Sequence, residues 1–188
     1  MYPHHLHTPE RPSVPGGCAL PRDGRMPIEI ILMKDELVHD IKDDIINIER
    51  TRNIKENPIT LDDASANYQL KRLIDSAVNK VVRRMSAYLL LPSPFVHRVA
   101  NNHAGDWEEK SIYLGMPYNW PPHLLDSLRD AVHDYIVTST EYALVARSLP
   151  QDSYLSVLYQ RSMDSYNDIN SYINDRLGVI EITPSEFG

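Results

Sequence analysis

Two carboxylate-x-x-histidine pairs come nearest to a known chemical spacing in this chain, Glu36-x-x-His39 and Asp130-x-x-His133. Di-metal helical bundles hold their ions with such pairs projecting inward from facing helices. The phase here is wrong for that. At about 100° per residue, Glu36, His39 and Asp43 fall opposite the apolar line Leu37/Ile41/Ile45, and Asp126, Asp130 and His133 fall opposite Leu125/Leu128/Val132. Both sets are expected to face water, and no metal is expected. His4-His5-x-His7 lies where nothing imposes the geometry that metal selectivity needs. His97, His103 and Asp106 have ligand chemistry without a ligand spacing. A single cysteine, Cys18, excludes a thiolate cage and an intrachain disulfide. The chain has no glycine-rich phosphate loop, nucleophile elbow, HExxH helix or EF-hand pattern. No catalytic residue and no cofactor is expected, and the chain reads as a non-enzyme.

Charge says more. The chain has 19 basic and 26 acidic residues, a formal net charge of −7. That argues against a surface coated for nucleic acid or anionic membrane, but leaves room for a local basic stripe. One exists between Leu70 and Arg84, where Lys71, Arg72, Lys80, Arg83 and Arg84 stand against one acid, Asp75. It is either a solvated face that pairs with acidic helices of the same or a neighbouring copy, or a stripe that meets DNA phosphates or an acidic partner. No run approaches the roughly 18 to 20 apolar residues of a membrane span, and no membrane contact is expected. Tyrosine is the other bias, with 11 residues. Tyr154, Tyr159, Tyr166 and Tyr172 share the last helix, the middle two on its apolar stripe and the outer two at its edge. Tyrosine buries area while keeping a polar tip, which suits a core edge or a protein interface.

The elements that must position these groups follow from periodicity and breakers. Residues 1–27 hold six of the 14 prolines and no helical or strand period, so they are predicted to be disordered or loosely draped. Met26 and Met33, where the pattern changes, are alternative starts to Met1. Four helices are predicted. The first, about Lys34 to Arg52, has the stripe Leu37, Val38, Ile41, Ile45 and Ile48. The second runs from about Leu61, capped by Thr60, to Leu90 and carries Leu70, Ile74, Ala77, Val78, Val81, Met85 and Tyr88. The third begins at Pro121-Pro122 and continues to about Leu149, stopped by Pro150, with Leu125, Leu128, Val132, Tyr135, Ile136, Tyr142, Ala143 and Ala146 inward. The fourth runs from about Asp152 to Leu177, stopped by Gly178, with Leu155, Leu158, Tyr159, Tyr166, Ile169, Ile173 and Leu177 inward. Between the second and third, Phe95–Val99 and Trp107–Leu114 are predicted as a β-hairpin turning at 101–106. The fold class is therefore mainly α: an antiparallel bundle of about four helices over residues 28–177, with a small hairpin at about 95–118. A β-prone tail, 178–188, ends the chain, and its Val179, Ile180 and Ile182 are expected to need a partner because a lone strand is marginal.

Three stretches carry a resemblance: Met33-Lys-Asp-Glu-Leu-Val-His-Asp-Ile, Leu70-Lys-Arg-Leu-Ile-Asp-Ser-Ala-Val, and the block from Ile112-Tyr-Leu-Gly-Met-Pro through Leu128-Arg-Asp-Ala-Val-His-Asp-Tyr-Ile. Together they resemble small virion proteins of phages and prophages, and the layout resembles the helical head-completion (head–tail connector) adaptors of tailed phages. The similarity spans about residues 33–177. It implies a structural protein of the virion, made in the host cytoplasm, that forms a homo-oligomeric ring and grips portal, neck or tail proteins with its loops and ends, with packaged DNA a further contact. It supplies no catalytic residues. The contact residues expected are Lys71, Arg72, Lys80, Arg83 and Arg84 on the second helix and Val179, Ile180 and Ile182 in the tail. The alternative is a phage- or mobile-element-encoded nucleic-acid-binding or regulatory protein that uses the basic face of the second helix.

Overall fold

The computed structural model describes residues 25–52, 59, 64–90 and 107–177. Its elements, in chain order, are strand β1 (Met26–Met33), helix α1 (Lys34–Arg52), helix α2 (Ala64–Arg84), strand β2 (Glu109–Met116), helix α3 (Leu125–Ser148) and helix α4 (Tyr154–Asn174). Tight 3-10 turns occupy Ser86–Tyr88 and Pro122–Leu124. Among the described residues the chain is thus mainly helical, with four α-helices and one small antiparallel sheet.

The sheet corrects the predicted hairpin. β2 forms two residues later than expected, but its partner is β1, at the other end of the domain, in the register Met26↔Met116 through Met33↔Glu109. The stretch 95–106 lies outside the described residues. The N-terminal boundary moves with it, because Met26 and Pro27 belong to a strand rather than to a draped segment. Proline is tolerated there because β1 is an edge strand, where a missing donor need not break a ladder. Alternation then builds the core face. Ile30 and Leu32 are buried while Glu29, Ile31 and Met33 are exposed, and on the partner strand Ile112, opposite Ile30, and Leu114, opposite Ile28, are buried on the same face. The 3-10 turn after α2 brings Leu89 into a bridge with Leu114, and the Leu90 amide donates to the Tyr113 carbonyl at 3.1 Å. β2 is therefore flanked on both sides.

Helix α1 has the predicted limits, and Leu37, Ile41, Ile45 and Ile48 are its buried residues. Helix α2 keeps its stripe from Leu70 to Met85 buried but ends at Arg84, six residues before the expected Leu90. Its predicted cap, Thr60, lies outside the described residues. Helix α3 starts at Leu125 because the two prolines are taken up in the preceding turn. It is the centre of the fold and packs against α1, α2, α4 and β1. Its middle is buried on most sides: Ala131, Val132, Tyr135, Ile136, Val137, Thr138, Thr140, Glu141, Leu144 and Val145.

This changes two tyrosine assignments. Tyr142 and Tyr159, predicted on inward stripes, are exposed and pack on one another with ring centroids 6.0 Å apart. The buried line of α4 is Leu158, Ser162, Ile169 and Ile173, and Tyr159 lies about 100° round from Leu158. Tyr166 is half-buried against Tyr135. Leu177, also expected inside, is half exposed beyond the end of α4. Asp152 still serves the start of α4, since its carboxylate accepts the Tyr154 amide at 2.7 Å. The other end is tied by Trp120, which is fully buried and donates its indole N–H to the Tyr172 carbonyl at 2.7 Å. The Leu177 amide donates to the Asn119 carbonyl beside it.

The strand register makes a sharp test. Ile30→Ala removes a fully buried side chain and is expected to cost about 2–5 kcal/mol, whereas Ile31→Ala, one residue on, should stay within about 0.5 kcal/mol. Urea unfolding of the two variants measures the difference, and equal losses would refute the register.

Candidate functional site

The five basic residues of α2 do not form one stripe. Arg72, Lys80 and Arg83 line a shallow depression of about 390 Å³ together with Asp75, Ser76 and Asn79. Lys71 is half-buried and sits about 100° round the helix from Arg72. Arg84 turns toward α4, where its Nε donates to Asn170 and its guanidinium lies 5.2 Å from the Tyr166 ring centre. Arg72 packs over Tyr68. Among the described residues, Arg72, Lys80 and Arg83 have no carboxylate partner. The acid within the stripe, Asp75, is already committed. Its Oδ1 accepts the Trp107 indole N–H at 2.6 Å and the Lys110 ammonium at 2.7 Å. Lys110 is 8% exposed, and burial holds its pKa below the usual lysine range while Asp75 works the other way. That knot fastens β2 to α2 and leaves the outer face of α2 net positive. Val179, Ile180 and Ile182 lie outside the described residues.

A second polar surface lies between α1 and α4. Both helices pack on α3 but hardly touch one another, so a furrow runs between them. One cavity in it, of about 240 Å³, is lined by Asp40, Asp43, Asp44, His133, Asp134, Val137, Thr138 and Arg161. Another, of about 190 Å³, is lined by Asp44, Asn47, Ile48, Thr51, Arg52, Tyr154 and Arg161. Asp44 and Arg161 belong to both. Arg52 is held at the far end by Asp152, 3.4 Å away, and packs over the Tyr154 ring.

His133 corrects an expectation. Asp126 and Asp130 are exposed, as are Glu36, His39 and Asp43, but His133 is only 27% exposed because α1 covers it. Its Nε2 is buried, 3.4 Å from Asp40 Oδ2, without the alignment of a hydrogen bond. Among the described residues no group of three His, Cys, Asp or Glu side chains is arranged to hold a metal ion.

Beside Asp44 and Arg161 lies Glu141, which is fully buried and which sequence reasoning missed. Its protonated carboxyl has the Asp44 carboxylate as its hydrogen-bond neighbour. Burial first, and the neighbouring Asp44 second, push its pKa up to about 8, while Arg161 pulls it down. The carboxyl is therefore mostly protonated at neutral pH. A signal existed in the sequence: from Tyr135 to Ala146, Glu141 is the sole charged residue. Burial also raises the pKa of Asp134, against the pull of His133.

The chain matches no family model, no curated protein and no solved structure. No helix among the described residues is long and apolar enough to cross a membrane.

Two measurements test these assignments. A carboxyl that holds its proton to about pH 8 when folded, but loses it near 4.5 when unfolded, stabilises the fold fully below 4.5 and loses that contribution as pH rises through 8. Wild-type stability should therefore fall between about pH 4.5 and 8 and level off above that, while Glu141→Gln stays flatter and is the more stable at pH 9. Urea midpoints across that range decide it, and parallel profiles would refute the assignment. Asp75→Ala should cost about 3–5 kcal/mol by stranding a buried ammonium. Adding Lys110→Met should restore part of the loss in the same assay.

Proposed function

We propose that this chain is a structural assembly subunit, a ring-forming head–tail connector of a tailed-phage virion, with the outer face of α2 as a contact surface. The observation that carries the assembly reading is the fate of the basic residues. Arg52, Arg84, Lys110 and Arg176 are spent on contacts within the chain. Arg72, Lys80 and Arg83 instead gather around one depression and face outward without acidic partners among the described residues. Solvated cations at helical spacing on an otherwise acidic protein suit recognition of an acidic surface, since they add attraction and orientation while little desolvation is needed beforehand.

The connector assignment rests on the resemblance. Its three stretches fall at the start of α1, in α2, and from β2 into α3, which are the parts that build the core. In this reading the four helices form an antiparallel bundle, the protein acts without a cofactor or catalytic residues, and it works in the virion beside portal, neck or tail proteins. Val179, Ile180 and Ile182 add a strand to a partner sheet, the mode in which backbone hydrogen bonds supply affinity.

Sedimentation velocity and negative-stain microscopy of the full chain test this. A discrete closed assembly is expected as concentration rises. If the protein stays monomeric and instead binds duplex DNA with an affinity that falls steeply with salt, the nucleic-acid-binding alternative takes its place.

A further inference from the structure

The furrow between α1 and α4 is opposite in character to the α2 face. Asp40, Asp43, Asp44 and Asp134 border it, against Arg161 and His133. These carboxylates do not converge as a metal site among the described residues, so the cation that fits them is one carried on a side chain, which can reach separated acids in turn. In its wall, His133 Nε2 is buried 3.4 Å from Asp40 Oδ2 without the alignment of a hydrogen bond, whereas an interior normally satisfies such a group.

We propose that the furrow receives the α2 face of a second copy of this chain, with Lys80 and Arg83 of one copy lying along Asp40, Asp43 and Asp44 of the next and Arg72 reaching beyond them along the groove. At 1.5 Å per residue, Lys80 to Arg83 spans about 4.5 Å of helix and Asp40 to Asp44 about 6 Å, so the pair can face the three acids, while Arg72 lies about 12 Å from Lys80. The surface left open by two helices that both rest on α3 is a groove of the kind that receives a third helix. The cationic face and the furrow are different patches of one surface, so the contact is heterologous. Each copy then offers one of each, and association continues until a ring closes or a filament grows. This rests on the assembly reading above and names the surface that α2 meets.

The two-patch geometry gives a test by mixing. One variant, Arg72→Glu/Lys80→Glu/Arg83→Glu, loses the cationic face. The other, Asp40→Lys/Asp43→Lys, loses the furrow. The wild-type chain should form assemblies larger than dimers that weaken with added salt. Each variant alone should sediment as a monomer with unchanged helicity by circular dichroism. A one-to-one mixture should assemble again beyond dimers, because the wild-type patches kept by the two variants pair as before and the reversed α2 face of one complements the reversed furrow of the other. If the furrow variant assembles like the wild type while the α2 variant does not, the furrow assignment falls and the assembly reading stands. If the wild type itself does not assemble, both fall. Should the lysine substitutions prevent folding, Asp40→Asn/Asp43→Asn serves instead. It should weaken association about tenfold, an effect within the range of single charge contacts at interfaces, and unchanged association would overturn the proposal.

Discussion

Every other element in this protein takes its place from the burial of helix α3. A surface helix needs one apolar stripe. Helix α3 is covered by α1, α2, α4 and β1, so its middle turns must be compatible with burial on most sides. Small and β-branched residues fill them, and Thr138 returns its hydroxyl to the Asp134 carbonyl at 2.7 Å. The other elements are left to cover α3, and they do so unevenly. The sheet is fastened to α2 by the Asp75 knot. Between α1 and α4 the coat is open. Glu141 lies under that opening, buried beside Asp44.

Much of the helical framework was legible because it depends on local pattern. α1 and α2 each pack on one side, so a 3.6-residue period identifies Leu37/Ile41/Ile45 and Leu70/Ile74/Val78 directly. The same reasoning found Leu128/Val132/Ile136 on α3 and Leu158/Ile169/Ile173 on α4 but misjudged residues at the edges of those stripes, because it assumes that one face is wet. Around a central helix the apolar arc is wide, and its centre cannot be located from period alone. Tyr142 and Tyr159 were therefore placed inward, although their shared position is at the surface. The strand β1 was missed for a different reason. Pro27 suggested a break, and the partner that makes Ile28 to Leu32 a strand is β2, far along the chain. Nothing local signals that pairing.

The candidate site divides the same way. Composition marks α2 as basic, and its residues could be named in advance. Which of them act together depends on helical phase and on neighbours: Arg84 is diverted to Asn170 and Tyr166, and Asp75 is consumed by Trp107 and Lys110. The furrow had no sequence signature of its own, because it arises where α1 and α4 fail to meet. His133 shows the limit of reasoning from a single helix. Its position opposite the Leu128/Val132 line is correct for α3 alone, but α1 crosses that face and covers it.

The pairing of β1 with β2 also bears on how the chain reaches its native state. Met26 must find Met116 and Met33 must find Glu109, so the sheet closes a loop that contains α1 and α2. Closing a loop of that length costs entropy before its contacts repay it, and such topologies fold more slowly than helical proteins with local contacts. During synthesis, β1 leaves the ribosome long before β2 exists. The stretch Ile28 to Leu32 then remains an apolar strand without a mate, the type of segment prone to mispairing between nascent chains. Glu29, within that stretch, points outward in the finished sheet. A charge there discourages edge-to-edge association during the interval, which gives this surface residue a role in folding that the native contacts alone would not reveal.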